Sequence, residues 1–420
     1  MSTETRSQRA GLPHAVFLQR VADEPATSPD VRLGQGAFLT LRFVDLLAPD
    51  RELPTPDVFR YQWAATERYC AELAGEGTEA SHLSCIVRAT GEAHNSGEVH
   101  LVAPSLFAYA MYLEQESHFE EAEDVLQTLI GVGGQRLRTS DAISTWLRLG
   151  RVLRLQADFD RADDAYEHAG RVAAADGDGE SVLLSRIGLC NVVHFRGNLT
   201  GAESAWRAVL ADAVAMGSRR VQAQAEHGLG NILVRRGQAH DGAPHLWRAY
   251  EFYEDDMSQA RAMGDLGLAL LSLGDVGAAE RALQHVVRVS ESAELTANAM
   301  VELMHCASFR RDRVSFERWR ERFHDNGAQV PPNIRADYYL KSGIGFARFG
   351  NLRRAETEMR HAHEIALAHE LHELVFRVEG ILAGLKECGA SEYIESAASD
   401  IVIQSEALRE VSASLASLNS

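Results

Sequence analysis

Polar side chains that can recognise peptide bonds and carboxylates recur in this sequence at a regular interval. Arg151, Asn191 and Asn231 follow one another in steps of 40 residues, and Arg154 and His194 repeat that step three residues further along. An asparagine amide both donates and accepts hydrogen bonds, so it can pair with a peptide bond without reading the side chains. An arginine guanidinium presents a planar fork that suits a carboxylate. The full set of candidate binding residues is Arg151, Arg154, Asn191, His194, His227, Asn231 and Arg235.

Motifs for catalysis are missing from the sequence. It has no glycine-rich nucleotide-binding loop, no nucleophile elbow and no metalloprotease motif. His369 and His372 lie one helical turn apart and could share a metal, but a hydrolytic site needs a third ligand and an open position, and neither is indicated. We interpret the histidine-rich stretch as a solvated helix face, and we expect no catalytic residues, metal or cofactor.

The charge balance restricts the class of partner. The 420 residues carry 60 acidic and 42 basic side chains, a formal net charge of −18. Such a surface repels nucleic-acid backbones and anionic lipid, so neither is an expected partner. The five cysteines are scattered without a C-x-x-C pair, and no apolar run reaches membrane-spanning or signal-peptide length. These features favour a cytoplasmic protein.

A repeated helical pattern must position the polar residues. Small residues recur on the first helix of each unit, a turn residue follows seven positions later, and a small residue opens the second helix five positions beyond it. The small residues are Ala110, Gly150, Cys190, Gly230, Gly267 and Gly343, and the turn positions are Ser117, Ala157, Gly197, Gly237, Gly274 and Gly350. Two helices that cross closely need a small residue at the crossing point, because a larger one would push the axes apart.

The repeat unit resembles the tetratricopeptide repeat. The unit with Trp146, Leu149, Gly150, Leu153 and Tyr166, and the runs GNLTGAESAW and LGDVGAAERAL, carry this resemblance over residues 104 to about 368. The spacing of up to 40 residues exceeds the usual 34 of that family, which predicts helices longer by roughly a turn and a half. The sixth unit has Phe316 and Arg320 where small and apolar residues belong.

The resemblance implies an all-α, right-handed superhelical solenoid. We expect a flexible segment over residues 1–36, a helical segment over 37–100 that could include a degenerate repeat, and seven repeats over 101–370. A capping helix over 371–390 and a tail helix over 391–420 complete the expected organisation. In this architecture the first helices line the concave surface, and peptide-binding members of the family place asparagine and basic residues there.

Three functions remain open from the sequence. The leading hypothesis is an adaptor that binds a protein or an extended peptide, for which acidic residues or a free carboxylate would suit the arginines. One alternative is a peptide-responsive signalling regulator, and a second is an enzyme with an unrecognised site within the first 100 residues. The polar residues could also be ordinary groove residues that pair internally with Asp and Glu. The oligomeric state is not determined by the sequence.

Overall fold

The computed structural model describes residues 12–20, 28–49, 55–325, 330–387 and 406–418. All the regular secondary structure in these ranges is helical, which confirms the all-α prediction. The chain divides into two compact units, Met1–Asn198 and Leu199–Ser420.

Long helices make up the first unit. In chain order they are α1 (Pro29–Val44), α2 (Pro56–Glu72), α3 (Thr78–Ser96), α4 (Ala103–Gln115), α5 (Phe119–Gly133), α6 (Thr139–Leu155), α7 (Phe159–Asp176) and α8 (Gly179–Phe195). The pairs α4/α5 and α6/α7 are hairpins, and α8 packs on α7. The apolar side chains between successive helices therefore join into one continuous core.

The same alternation continues in the second unit. Its helices are α9 (Leu199–Met216), α10 (Arg219–Arg235), α11 (Ala239–Phe252), α12 (Asp256–Ser272), α13 (Val276–Val289), α14 (Ala293–Phe309), α15 (Arg313–Asp325), α16 (Pro332–Arg348), α17 (Leu352–Ala368), α18 (His372–Glu387) and α19 (Glu406–Leu418). The first helices α6, α8, α10, α12, α14 and α16 each have 17 residues, in agreement with the long repeat spacing. Helix α18 packs on α17, where the sequence predicts a cap.

Each turn between a first and a second helix contains one residue with a left-handed backbone. At Gly197 φ is 85°, and the N–H groups of Gly197 and Asn198 donate to carbonyl oxygens of the last turn of α8. This geometry closes the helix end and is easiest for glycine, which has no Cβ. The residues in this conformation are Ser117, Ala157, Gly197, Gly237, Gly274, Arg311 and Gly350. The six turn positions predicted from the repeat pattern are thus confirmed, and Arg311 supplies the turn of the sixth hairpin.

Large side chains of the second helices pack directly against glycines of the first helices. Tyr166 of α7 lies between Gly150 of α6 and Gly188 of α8: an added Cβ would approach its ring to 2.9 Å at the first glycine and 2.2 Å at the second. One residue of a second helix therefore joins its own first helix to the next one.

The same principle explains two neighbouring glycines of α10, Gly228 and Gly230, in the second unit. A Cβ on Gly230 would lie 2.7 Å from Leu246 of the same hairpin, whereas one on Gly228 would lie 2.4 Å from Trp206 of the preceding helix. The repeat pattern predicts a packing role for Gly230 alone. The structure gives a role to each, because a first helix is flanked by two second helices.

The sixth hairpin has a large side chain at a position where the other second helices have a small one. Phe316 of α15 is fully buried, and a Cβ on Gly345 of α16 would approach its ring to 2.2 Å. Arg320 donates to the hydroxyl of Ser342 at 3.0 Å and lies 4.7 Å above the Phe346 ring. The large residues that depart from the repeat pattern in α15 are thus received by small residues on α16.

The amino-terminal segment differs from the expectation of a flexible stretch through residue 36. Helix α1 begins at Pro29, and a one-turn helix at Ala15–Gln19 buries Phe17 completely. Arg20 follows it and donates to Glu79 at 3.0 Å and to both carboxylate oxygens of Glu121. Residues 1–11 and 21–27, which the sequence analysis also assigns to this flexible segment, lie outside the described residues.

The tail helix α19 packs on α11 and α13 in the middle of the second unit. Leu408, Val411 and Leu415 are its buried residues, and the hydroxyl of Ser412 donates to Asp275 at 3.1 Å. These apolar residues are three and four positions apart, as expected for one buried helix face. The part of the predicted tail helix at residues 391–405 lies outside the described residues.

We expect Gly228→Ala to destabilise the protein by about 1–3 kcal/mol, because the new methyl group would overpack the Trp206 ring. Gly264→Ala is the matched control in the next first helix, since nothing lies within 4 Å of its Cβ position. There, alanine should stabilise the helix by roughly 0.5–1 kcal/mol. Chemical denaturation of both variants tests the packing, and equal effects would contradict it.

The stability contributed by His14 should depend on pH. Burial alone would lower the pKa of His14, but Asp124 at 2.6 Å and Asp45 at 3.3 Å outweigh it and raise the pKa from 6.5 to about 9. Since the pKa is higher in the folded state, this stabilisation is complete below pH 6.5 and is lost as the pH rises through about 9. Thermal unfolding over this range should therefore show a steeper loss for the wild type than for His14→Gln. Parallel curves would rule out the contribution.

Candidate functional site

The first helices of successive hairpins lie beside one another within each unit. In the first unit α4 contacts α6 and α6 contacts α8, and in the second unit α10, α12, α14 and α16 contact one another in sequence. We call the surface formed by these helices the first-helix face of each unit. The candidate binding residues are predicted to lie on this face in one unit or the other.

The two arginines of α6 have different environments. The Nε of Arg151 donates to Glu114 of α4, and Arg148 donates to the same carboxylate at 2.9 Å. Arg154 is buried, with its guanidinium carbon 4.7 Å above the Phe195 ring of α8. Of these two candidates, only Arg151 presents an exposed guanidinium, and Glu114 already balances its charge.

Asn191 and His194 lie on α8. The side-chain amide of Asn191 donates to the carbonyl oxygen of Ile187 one turn earlier at 3.1 Å, which leaves the amide oxygen available as an acceptor. The His194 ring lies 5.0 Å from that of Phe195, centroid to centroid. The first unit thus presents one amide acceptor, together with a histidine and an aromatic side chain one turn later.

In the second unit two of the predicted residues share one carboxylate. His227 Nε2 and Asn231 Nδ2 of α10 each lie 2.8 Å from Asp265 Oδ2 of α12, and His227 Nδ1 lies 3.1 Å from the Tyr253 hydroxyl. We call these four residues the His227 cluster. The hydrogen bonds to Asp265 of α12 fix the His227 ring and the Asn231 amide of α10. The amide oxygen of Asn231 is therefore held in one orientation and can accept a further hydrogen bond.

Arg235 is exposed one turn beyond Asn231, at the end of α10. It forms no ion pair with any residue that the structure describes. A cation at this position remains available for an acidic group of a ligand, although its contribution would be screened by salt.

Sequence reasoning did not find Asp265 or Tyr253. Asp265 is the single charged residue in the run Met263–Leu271, which was the available signal that a polar contact is made there. Tyr253 follows the end of α11, and burial raises its pKa well above the usual range. Its partner His227 is 26 residues away, so no local spacing indicates the contact.

The described residues contain neither a cluster that could hold a metal ion nor a helix that could span a membrane. No group of three or more His, Cys, Asp or Glu side chains in this part of the chain could hold a metal ion. Among the helices described, none is long and apolar enough to cross a lipid bilayer.

The hydrogen bond between Asn231 and Asp265 should be measurable as a coupling. We expect a double-mutant cycle of Asn231→Ala and Asp265→Ala to give an interaction energy of about 0.5–1.5 kcal/mol in unfolding experiments. A second cycle that combines Asp265→Ala with Arg235→Ala is the control, because Arg235 does not contact the carboxylate. Equal coupling in the two cycles would contradict the described geometry.

Comparison with known proteins gives similarity at the level of fold only. No family model and no curated protein matches the sequence. Similar solved structures include the apo form of the quorum sensor NprR from B. thuringiensis, with 12% identity, coverage of 83% of this chain and 97% of that chain, and a TM-score of 0.47.

Two further solved structures are similar to this chain. The Rap conjugation gene regulator of plasmid pLS20, solved with the Phr* peptide, is 9% identical over 79% of this chain and 97% of its own, with a TM-score of 0.48. PilF of Pseudomonas aeruginosa is 15% identical over 58% of this chain and 98% of its own, with a TM-score of 0.42. The fold itself follows from the helices described above, which alternate as tetratricopeptide-like hairpins.

Proposed function

We propose that this chain is a cytoplasmic binding protein that holds an extended peptide segment of a partner on its first-helix face, without catalysing a reaction. The His227 cluster is the observation that carries this proposal. Hydrogen bonds join these four polar side chains across α10, α12 and the residue that follows α11, on a face where stacking of the hairpins requires only apolar contacts.

Peptide backbone recognition follows from the groups that remain available. The amide oxygen of Asn231 can accept a hydrogen bond from a peptide N–H, and Asn191 offers the same group on the first-helix face of the first unit. A backbone contact of this kind is independent of the ligand's side chains. Selectivity must therefore come from charged and apolar groups elsewhere on the face.

The charge distribution favours acidic groups on the ligand. The protein carries a net charge of −18, yet Arg235 lies exposed beside the His227 cluster without an acidic partner among the described residues. A carboxylate on the peptide would interact favourably with it. Basic peptides would instead be attracted over the whole surface, without preference for this face.

The proposal is tested by selecting linear peptides from a displayed library on the full chain and measuring their affinities by calorimetry. Asn231→Ala should weaken the selected peptides by about tenfold, equivalent to 1.4 kcal/mol, since one buried hydrogen bond is lost. The melting temperature should fall only as far as the loss of the Asn231–Asp265 hydrogen bond, about 0.5–1.5 kcal/mol, requires.

Glu251→Ala is the matched control, because Glu251 is exposed on a second helix, α11. It should leave the affinity unchanged. Selected peptides that bind both variants as tightly as the wild type would place recognition away from the first-helix face. Turnover of a bound peptide by the wild type would instead support an enzyme.

A further inference from the structure

An arginine without an acidic partner lies on the first-helix face at the other end of the second unit. Arg348, at the end of α16, donates from Nη1 to the hydroxyl of Ser308 on α14 at 2.6 Å. Its guanidinium carbon lies 3.6 Å above the centroid of the Phe309 ring. No carboxylate of the described residues lies within ion-pair distance of Arg348.

Two other partly buried arginines of this chain are balanced by carboxylates, whereas the buried Arg154 has no ion pair among the described residues. Arg20 pairs with Glu79 and Glu121, and Arg320 pairs with Glu317 and Glu358. Burial opposes their charge, but the carboxylates outweigh it and raise their pKa values.

Arg348, like Arg154, has no carboxylate partner among the described residues. Burial lowers its pKa to about 10, and no carboxylate of the described residues offsets that effect. A guanidinium has five N–H donors, of which the hydrogen bond to Ser308 uses one. The folded protein therefore holds a positive charge and several hydrogen-bond donors that its own side chains do not neutralise.

A second polar group beside this arginine also lacks a partner. His305 of α14 is 9% exposed, and its ring lies edge-on to that of Phe309 with centroids 4.9 Å apart. Its Nδ1 is buried and makes no hydrogen bond with any residue in the described part of the chain. Burial, together with the nearby cations Arg348, Lys341 and Arg377, lowers the pKa of His305 well below 6.5, so the ring is neutral.

The charged groups around His305 leave an excess of positive charge. Lys341 of α16 is already paired with Glu302 and with Asp337. Arg348 and the exposed Arg377 of α18 remain, in a protein that is strongly acidic elsewhere. A buried or half-buried cation without a counter-charge is costly, and an anion from outside the chain would remove that cost.

We propose that Arg348, Ser308, His305 and Phe309 form a binding site for a single carboxylate attached to an apolar group. The carboxylate would accept hydrogen bonds from the unused N–H groups of Arg348, whose plane is held by the Phe309 ring and by the Ser308 hydroxyl. The exposed part of Phe309, 37% of its surface, would contact the apolar group. This site rests on the proposed function in so far as the carboxylate belongs to a bound peptide.

A set of small probes tests the site directly on the full chain. N-acetyl-leucine carries one carboxylate next to an apolar side chain, and N-acetyl-leucinamide is its uncharged counterpart. At matched ionic strength, N-acetyl-leucine at several times its Kd should raise the melting temperature by about 1–2 °C. The amide and added sodium chloride should not. An equal rise with the amide, or no rise with the acid, would overturn the proposal.

Variants then separate a binding role from a structural one. Arg348→Gln should abolish the shift caused by N-acetyl-leucine, while the melting temperature without probe stays the same or increases, because an unbalanced cation has been removed. Arg353→Gln, at an exposed position on α17, is the matched control and should keep the shift. A lower melting temperature of Arg348→Gln without probe would identify Arg348 as a structural cation and overturn the site.

Two further comparisons fix the ligand class and its relation to peptide binding. Inorganic phosphate that gives a larger shift than N-acetyl-leucine at matched ionic strength would contradict a carboxylate site. Library peptides with a free and with an amidated carboxyl terminus, measured on the wild type and on Arg348→Gln, distinguish the two proposals. Peptides whose tight binding is unaffected by amidation of the carboxyl terminus and by Arg348→Gln would leave the proposed function standing and overturn the carboxylate site.

Discussion

The contact between a large side chain and a helical glycine determines how the hairpins of this protein stack. Tyr166 fits between α6 and α8 because Gly150 and Gly188 present no Cβ to its ring. Trp206 and Leu246 use Gly228 and Gly230 of α10 in the same way. Since such contacts exist in only one register, they fix which face of each first helix points away from the second helices. The positions of the polar side chains on that face follow from this packing.

Local spacing in the sequence was sufficient to predict the parts of the fold that repeat. The turn positions could be predicted because a left-handed residue must close every first helix, and the crossing positions because only small residues fit there. The sixth hairpin shows the limit of this reasoning. A single unit with Phe316 in place of a small residue looks defective, and only the pairing with Gly345 of the next helix shows that the interface is complete.

Contacts between distant parts of the chain were not predictable in this way. Arg20 meets Glu121 across 101 residues, and no periodicity links a polar amino-terminal stretch to an acidic position in α5. For the candidate site, the asparagines and histidines were identified by residue type, but their carboxylate partner Asp265 was not. Arg154 was placed on the binding face by its spacing, yet an aromatic neighbour, Phe195, draws it into a buried contact.

The position of α19 has a consequence for the order in which the second unit can fold. Most helices of the array contact only helices one or two positions away in the chain, so their assembly can proceed stepwise from any hairpin. Ser412 and Asp275, by contrast, are 137 residues apart, and such a contact carries a large loop-closure cost. The tail must therefore dock late, after α11 and α13 have formed the surface it covers. Newly synthesised chains would expose that apolar surface until α19 has been made.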